Sequence, residues 1–236
     1  MSLSIVTVLV AAAISLKAPL HEASRRFAAA SPGEAIEFTF GASGQLAAQI
    51  ERGAPVDLFV SASPVEMERL LAARRIDAAT RTAIAGNRLV AVTRIGGPGA
   101  SSLADLAGPR FARIAVGNPR TVPAGRYAAE ALAAGGLAET VKSRLVYAEN
   151  VRQVVDVVAR GEADAGLVYA TDVTLGGGNL REAFEVPQGL YTPIVYEAAV
   201  VAGAPGAPRA RGLLAFLASQ AGRDTLARHG FAAAPR

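Results

Sequence analysis

Four junctions in this chain place small or hydroxyl residues where a helix is about to begin: Ser15, Ser43, Val122-Pro123-Ala124-Gly125, and Asn150-Val151. The start of a helix leaves backbone N–H groups without intrahelical acceptors and carries a partial positive charge. Several such starts aimed at one point would bind an anion with no cationic side chain. The Ser hydroxyls would add donors, and the phenol of Tyr169 would add another. Each residue alone has a plainer reading. Ser or Asn at a helix start is ordinarily a cap, and a lone Tyr is ordinarily a core residue with a satisfied hydroxyl.

Other chemistries lack their parts. The chain has two histidines, His21 and His229, and neither stands at metal-ligand spacing. There are no cysteines, which removes disulfides, thiolate zinc sites and thiol nucleophiles. Gly41-Ala42-Ser43-Gly44-Gln45 resembles a nucleophile elbow until its last position, where Gln replaces the required Gly. No Walker motif or strand-linked G-x-G-x-x-G occurs, and Gly96-Gly97-Pro98-Gly99 reads as a turn. The net charge is +4, but the arginines behind it are scattered. That distribution suits a solvated surface, whereas a nucleic-acid footprint is clustered. The absence of Trp argues against an aromatic stacking platform.

The elements that must position these residues alternate between strand and helix. Ser4–Val10 is rich in β-branched residues and reads as a buried first strand, not a signal peptide, since no basic residue precedes the apolar stretch. Any export signal would then lie outside this sequence, with Met1-Ser2-Leu3 as an added start. Leu16, Leu20, Ala23 and Phe27 lie on one helical face. Strands are expected at 35–40, 56–61, 87–94, 113–117, 143–148, 164–169 and 193–202. Helices are expected at 43–52, from Pro64 to about Ala73, after Pro123, after Asn150, and at 208–219 and 222–229. After Asn150, the residues Val151, Val154, Val155 and Val158 follow i, i+3, i+4, i+7. Gly176–Gly178 reads as a loop. The alternation predicts an α/β fold with mostly parallel sheets, and no repeat of fixed period is visible. No Pro- or Ser-rich linker divides the 236 residues, so two lobes would each have to be discontinuous.

Five ordered blocks carry a resemblance. Phe40–Phe59, which contains Gly41-Ala42-Ser43-Gly44-Gln45, is similar to a segment of the periplasmic molybdate-binding proteins, of type II periplasmic binding protein fold. Gly86–Val90, Ala115–Pro119 with Val122–Ala128, Ala148–Arg152 and Gly166–Tyr169 are similar to that family's following blocks, in order, and Phe216–Ser219 and Gly230-Phe231 close the match. The resemblance covers nearly the whole chain. It implies two α/β lobes joined by a two-strand hinge, with an oxyanion in the cleft. The expected lobes are 1–83 with 198–236, and 84–197.

The resemblance also implies the ligand set. Ser43 would act by hydroxyl and backbone N–H, Ala124 and Val151 by backbone N–H, and Tyr169 by its phenol. Ser15 matches the Ser of the family's first block, although Val10–Leu16 is longer than the usual Ala-Ser-Leu junction. The metal of molybdate or tungstate would be held only through its oxygens, with no direct protein ligand. The implied function is capture of molybdate or tungstate and delivery to an ABC permease, by a periplasmic monomer with no catalysis, no cofactor and no nucleic-acid partner. The alternatives are a binding protein for another tetrahedral oxyanion such as sulfate, the effector-sensing domain of a transcription regulator, and a small hydrolase or transferase. A regulator would carry a helix-turn-helix, for which nothing before Ser4 leaves room. A hydrolase would need a base beside Ser43.

Overall fold

The computed structural model describes residues 6–30 and 34–234. In chain order the elements are β1 (Val6–Ala13), α1 (Lys17–Ala30), β2 (Glu34–Gly41), α2 (Ser43–Glu51), β3 (Leu58–Ser61), α3 (Pro64–Ala72), β4 (Thr82–Asn87), β5 (Leu89–Arg94), α4 (Leu103–Leu106) and β6 (Ile114–Gly117). Then follow α5 (Pro123–Ala134), α6 (Ala138–Val141), β7 (Leu145–Ala148), α7 (Val151–Ala159), β8 (Ala165–Tyr169), β9 (Leu180–Glu185), β10 (Ile194–Val200), α8 (Ala207–Ala218) and α9 (Gln220–Arg228). The chain forms two compact units: one takes Met1–Gly86 and Val195–Arg236, the other Asn87–Ile194.

The first unit holds a five-stranded sheet in the order β2-β1-β3-β10-β4. Strand β1 runs parallel to β2 and β3, and β10 runs antiparallel to β3. One core cluster gathers Ala11, Leu46, Ala47, Ile50, Phe59, Met67, Leu70, Ile76 and Ala199. The sequence dictates the helix limits here. Ser63 caps α3 by accepting from the Val65 N–H, and Pro64 takes the first position, where a missing N–H costs nothing. After α2 the chain turns at Gly53, whose φ of +88° suits a residue without a side chain.

The second unit holds its own five-stranded sheet, in the order β7-β6-β8-β5-β9. Strand β6 is parallel to β7 and β8, and β5 is antiparallel to β8 and β9. The two sheets therefore share one plan: a central strand, a parallel neighbour on each side, then an antiparallel strand. This is a structural repeat with no repeat in the sequence. Helix α7 packs its four valines, Val151, Val154, Val155 and Val158, against the sheet, each at most 3% exposed. Full burial of such a side chain stabilises by about 1.5–3 kcal/mol. Asn150 caps the helix through Oδ1, 3.0 Å from the Gln153 N.

Two strands escape the sequence reading. Strand β4 ends at Asn87, and the strand expected from Asn87 is β5, which begins at Leu89. The Gly176–Gly178 loop leads into β9, the edge strand of its sheet, which carries Arg181, Glu182 and Glu185. Charges on an edge discourage pairing with another chain and hide the alternation of a strand. The first strand runs on to Ala13, beyond the expected Val10. Met1–Ile5, including the expected start at Ser4, lie outside the described residues.

Asp57 ties the first unit together at the base of its parallel strands. Its Oδ2 accepts from the Leu9 N–H at 2.8 Å, and its Oδ1 accepts from the Gly206 N–H at 2.9 Å. Its own N–H donates to the Leu9 carbonyl, at 2.8 Å. The carboxylate is 6% exposed. Asp57→Ala takes an acceptor from two backbone donors, each worth roughly 1–3 kcal/mol when buried and unsatisfied, and should lower stability by about 2–4 kcal/mol. Asp57→Asn keeps one acceptor oxygen and should cost less. Denaturant midpoints of the two variants check this order.

Candidate functional site

In each unit the residues singled out by sequence fall at the carboxyl ends of the three adjacent parallel strands. Open α/β sheets place ligands at that end. In the first unit, Ser15 lies in the 3₁₀ turn Ile14–Leu16 that links β1 to α1. Ser43 is the first residue of α2, directly after β2. Ser61 ends β3, and Ala62 and Ser63 follow it in the same row.

The hydroxyls in this row have defined roles. Ser43 is not a cap: Ala42 holds that position, and the Ser43 side chain makes no capping bond. Instead its Oγ accepts from the Ala62 N–H at 3.0 Å. A backbone N–H can only donate, so the Ser43 proton is directed elsewhere and can be given to an acceptor. Ser43 is 1% exposed, which fixes the group in place. The Ser15 Oγ lies 3.0 Å from the Tyr196 hydroxyl, a contact in which either can donate. Ser61 donates to the Ser63 carbonyl at 2.8 Å and accepts from the Ser63 N–H at 3.2 Å, which stiffens the turn that presents Ala62.

The second unit repeats the arrangement with backbone groups. Val122 stands before α5, Pro123 takes its first position and Ala124 its second. Val151 is the first residue of α7, after β7. The N–H groups of Ala124 and Val151 therefore sit in the first turns of their helices, where no intrahelical carbonyl reaches them. The Asn150 Oδ1 serves Gln153, not Val151, as a cap should. Tyr169 ends β8 and is 1% exposed.

The start of α5 lies hard against the end of β6. A Cβ on Gly125 would come within 2.0 Å of the Gly117 carbonyl oxygen, and one on Gly117 within 2.5 Å of the Val122 side chain. Both positions accept only hydrogen, and that close approach sets where the Ala124 N–H stands.

Behind Tyr169 is a group the sequence reading did not single out. Asp172 accepts from the Tyr169 N–H at 3.3 Å and is buried. Burial raises its carboxyl to about 7, against smaller opposing effects of the Tyr169 N–H and of Arg152. Tyr196, Ala62 and Asp172 were not legible from spacing. Tyr196 stands in an apolar strand, Ala62 acts through its backbone, and Asp172 stands in a loop-like run.

The donors of each row are neutral. Backbone N–H groups and hydroxyls suit a ligand that presents only acceptors, such as a fully ionised oxyanion. His21 packs edge-on against Phe38 and Phe40, at 5.3 and 5.4 Å between ring centres. His229 pairs with Glu22 at 2.9 Å. Among the described residues no cluster of His, Asp or Glu could hold a metal ion, and no helix is long and apolar enough to cross a membrane.

Comparison with known proteins agrees with the geometry. Residues 8–232 match the family model described as bacterial extracellular solute-binding protein. The molybdate-binding protein ModA of Haemophilus influenzae is 34% identical over 96% of this chain and 90% of its own length. A putative ABC transporter substrate-binding lipoprotein of Bacillus subtilis, YvgL, is 32% identical over 97% of this chain and 87% of its own. The solved periplasmic molybdate-binding protein of Azotobacter vinelandii superposes with a TM-score of 0.87 at 25% identity, covering 97% of this chain and all of that one.

Gly125→Ala should push the start of α5 away from β6. Overpacking of this kind costs about 1–3 kcal/mol or more. Asn150→Ala, which removes only a cap, should cost about 1 kcal/mol. Thermal unfolding of both variants measures the difference.

Proposed function

We propose, from the premise that the chain belongs to the family of bacterial extracellular solute-binding proteins, that it captures molybdate or tungstate and hands it to an ABC permease. The donors we assign to the anion are Ser15 and Ser43 in the first unit and Ala124, Val151 and Tyr169 in the second. The metal atom is reached only through its oxygens. The carrying observation is the Ser43 hydroxyl, which accepts from the Ala62 N–H and so keeps its proton to give to another acceptor.

The anion needs no cofactor and undergoes no reaction. A hydrolase would need a base beside Ser43, and both histidines are engaged elsewhere, on aromatic rings and on Glu22. The chain works in the periplasm, as the molybdate-binding relative of Azotobacter vinelandii does. In this reading it works as a monomer.

Hydrogen-bond polarity sets the selectivity. A fully ionised tetrahedral dianion presents only acceptors to a site of donors. Phosphate near neutral pH keeps at least one proton. That O–H would be buried without an acceptor, at a cost of roughly 1–3 kcal/mol. Sulfate carries the right charge and no proton, but its bonds to oxygen are shorter. In a cavity sized for molybdate, every hydrogen bond to sulfate stretches at once, and such bonds weaken as they lengthen.

Two measurements test this. Ser43→Ala removes a hydrogen bond to a charged ligand, worth roughly 1.5–3 kcal/mol, so molybdate affinity should fall about tenfold to a hundredfold with the fold intact. Unchanged affinity by calorimetry would exclude Ser43 from the site. Competition binding at fixed ionic strength should rank molybdate and tungstate together, then sulfate, then phosphate. Displacement of molybdate by an equal concentration of sulfate would sink the size argument and leave an unspecified oxyanion.

A further inference from the structure

Asp172 is a buried acid that anion capture does not itself require. It lies in the 3₁₀ turn Ala170–Gly176 that follows β8, and it is 1% exposed. One carboxyl oxygen accepts from the Tyr169 N–H at 3.3 Å. The other, Oδ1, is buried with no hydrogen-bond partner among the described residues. A carboxylate in that setting has given up water at both oxygens for one long hydrogen bond. The neutral acid gives up far less, because burial penalises charge more than polarity.

The turn packs against α7, β5, β8 and β9. These elements carry Arg152 and Asp156 on α7, Arg94 on β5, and Arg181, Glu182 and Glu185 on β9, together with Tyr169 at the end of β8. Of these charges, that of Arg152, the neighbour of Val151, acts on Asp172. The carboxyl therefore stands beside Tyr169 and within the electrostatic reach of the α7 start, two of the positions assigned to the anion.

We propose that Asp172 is a positioning residue for the anion site: its carboxyl holds the turn that sets Tyr169, and when ionised it opposes the incoming dianion. The inference rests on the reading of Tyr169 as an anion contact. Its consequence follows from linkage. With the carboxyl raised to about 7 in the empty protein, a sizeable fraction is ionised at neutral pH. A nearby dianion raises the carboxyl further, so binding takes up a proton. Affinity is then at its plateau below that value and falls as pH rises through it.

Folding obeys the same sign. The folded carboxyl binds its proton more tightly than the unfolded one, whose ordinary value is 3.8. Stability from this group is therefore fully present below that ordinary value and is lost as pH rises toward about 7.

The experiment is calorimetric titration of the full chain with molybdate at micromolar concentration, in buffers of differing ionisation enthalpy. Between about pH 6 and about pH 8.5 the wild-type affinity should fall about tenfold, with measurable proton uptake near neutrality. Asp172→Asn should bind with a flat profile and no uptake. Tyr169→Phe should bind more weakly at every pH while keeping the slope. Absence of proton uptake in the wild-type protein would overturn the proposal without recourse to any variant. So would an Asp172→Asn profile that retains the wild-type slope. Full affinity in Tyr169→Phe would overturn the underlying assignment of Tyr169, and the proposal with it.

Discussion

The first turn of an α-helix carries N–H groups that no carbonyl of the same helix can reach. In this protein, Ser43, Ala124 and Val151 stand in such turns, each following a parallel strand closely enough that the strand end fixes its place. The rest of the structure serves that placement. The sheet order seats the strand ends side by side. The contact of Gly125 with Gly117 brings one helix start against its strand. The Ala62 N–H occupies the one serine hydroxyl of α2 as an acceptor and leaves its proton to be donated. Because these donors are neutral and already oriented, they are right for a ligand made of acceptors and wrong for one that must donate.

Both units reach this arrangement by the same route. Strands β1 and β6 are each the middle of three adjacent parallel strands, and each has its parallel neighbours in the same relation. The chemistry on the two copies differs. The first unit offers serine hydroxyls, and the second offers backbone N–H groups and a phenol. A single strand plan thus supplies two kinds of donor, and no arginine or lysine is needed among them. In the proposed function, the dipoles of the helices would carry the charge complementarity that a cation otherwise provides.

Much of this was legible in the sequence. Helix α7 could be read from Asn150 and four valines, because a cap and a 3.6-residue period are local signals. The junction residues Ser15, Ser43, Ala124, Val151 and Tyr169 were chosen from residue type and family likeness, and the structure sets them at strand ends. Other features were hidden for physical reasons. Strand β4 is short and contains one large apolar residue, Ile84, so it has no alternation to display. Strand β9 is an edge and carries charges where a buried strand would carry valines. The bond that orients the Ser43 hydroxyl was hidden, since its partner, Ala62, lies nineteen positions away and acts through its backbone. Asp172 carried no signal at all, because burial, not spacing, defines it.

The proposed function requires neutral donors at the five named positions to hold the oxyanion. A crystal structure of the full chain grown with molybdate tests it most directly. The account predicts molybdate oxygens within hydrogen-bond distance of the Ser15 and Ser43 hydroxyls, the Ala124 and Val151 N–H groups and the Tyr169 phenol, with no arginine or lysine in contact. Molybdate held instead by cationic side chains, or bound away from the carboxyl ends of these strands, would contradict it.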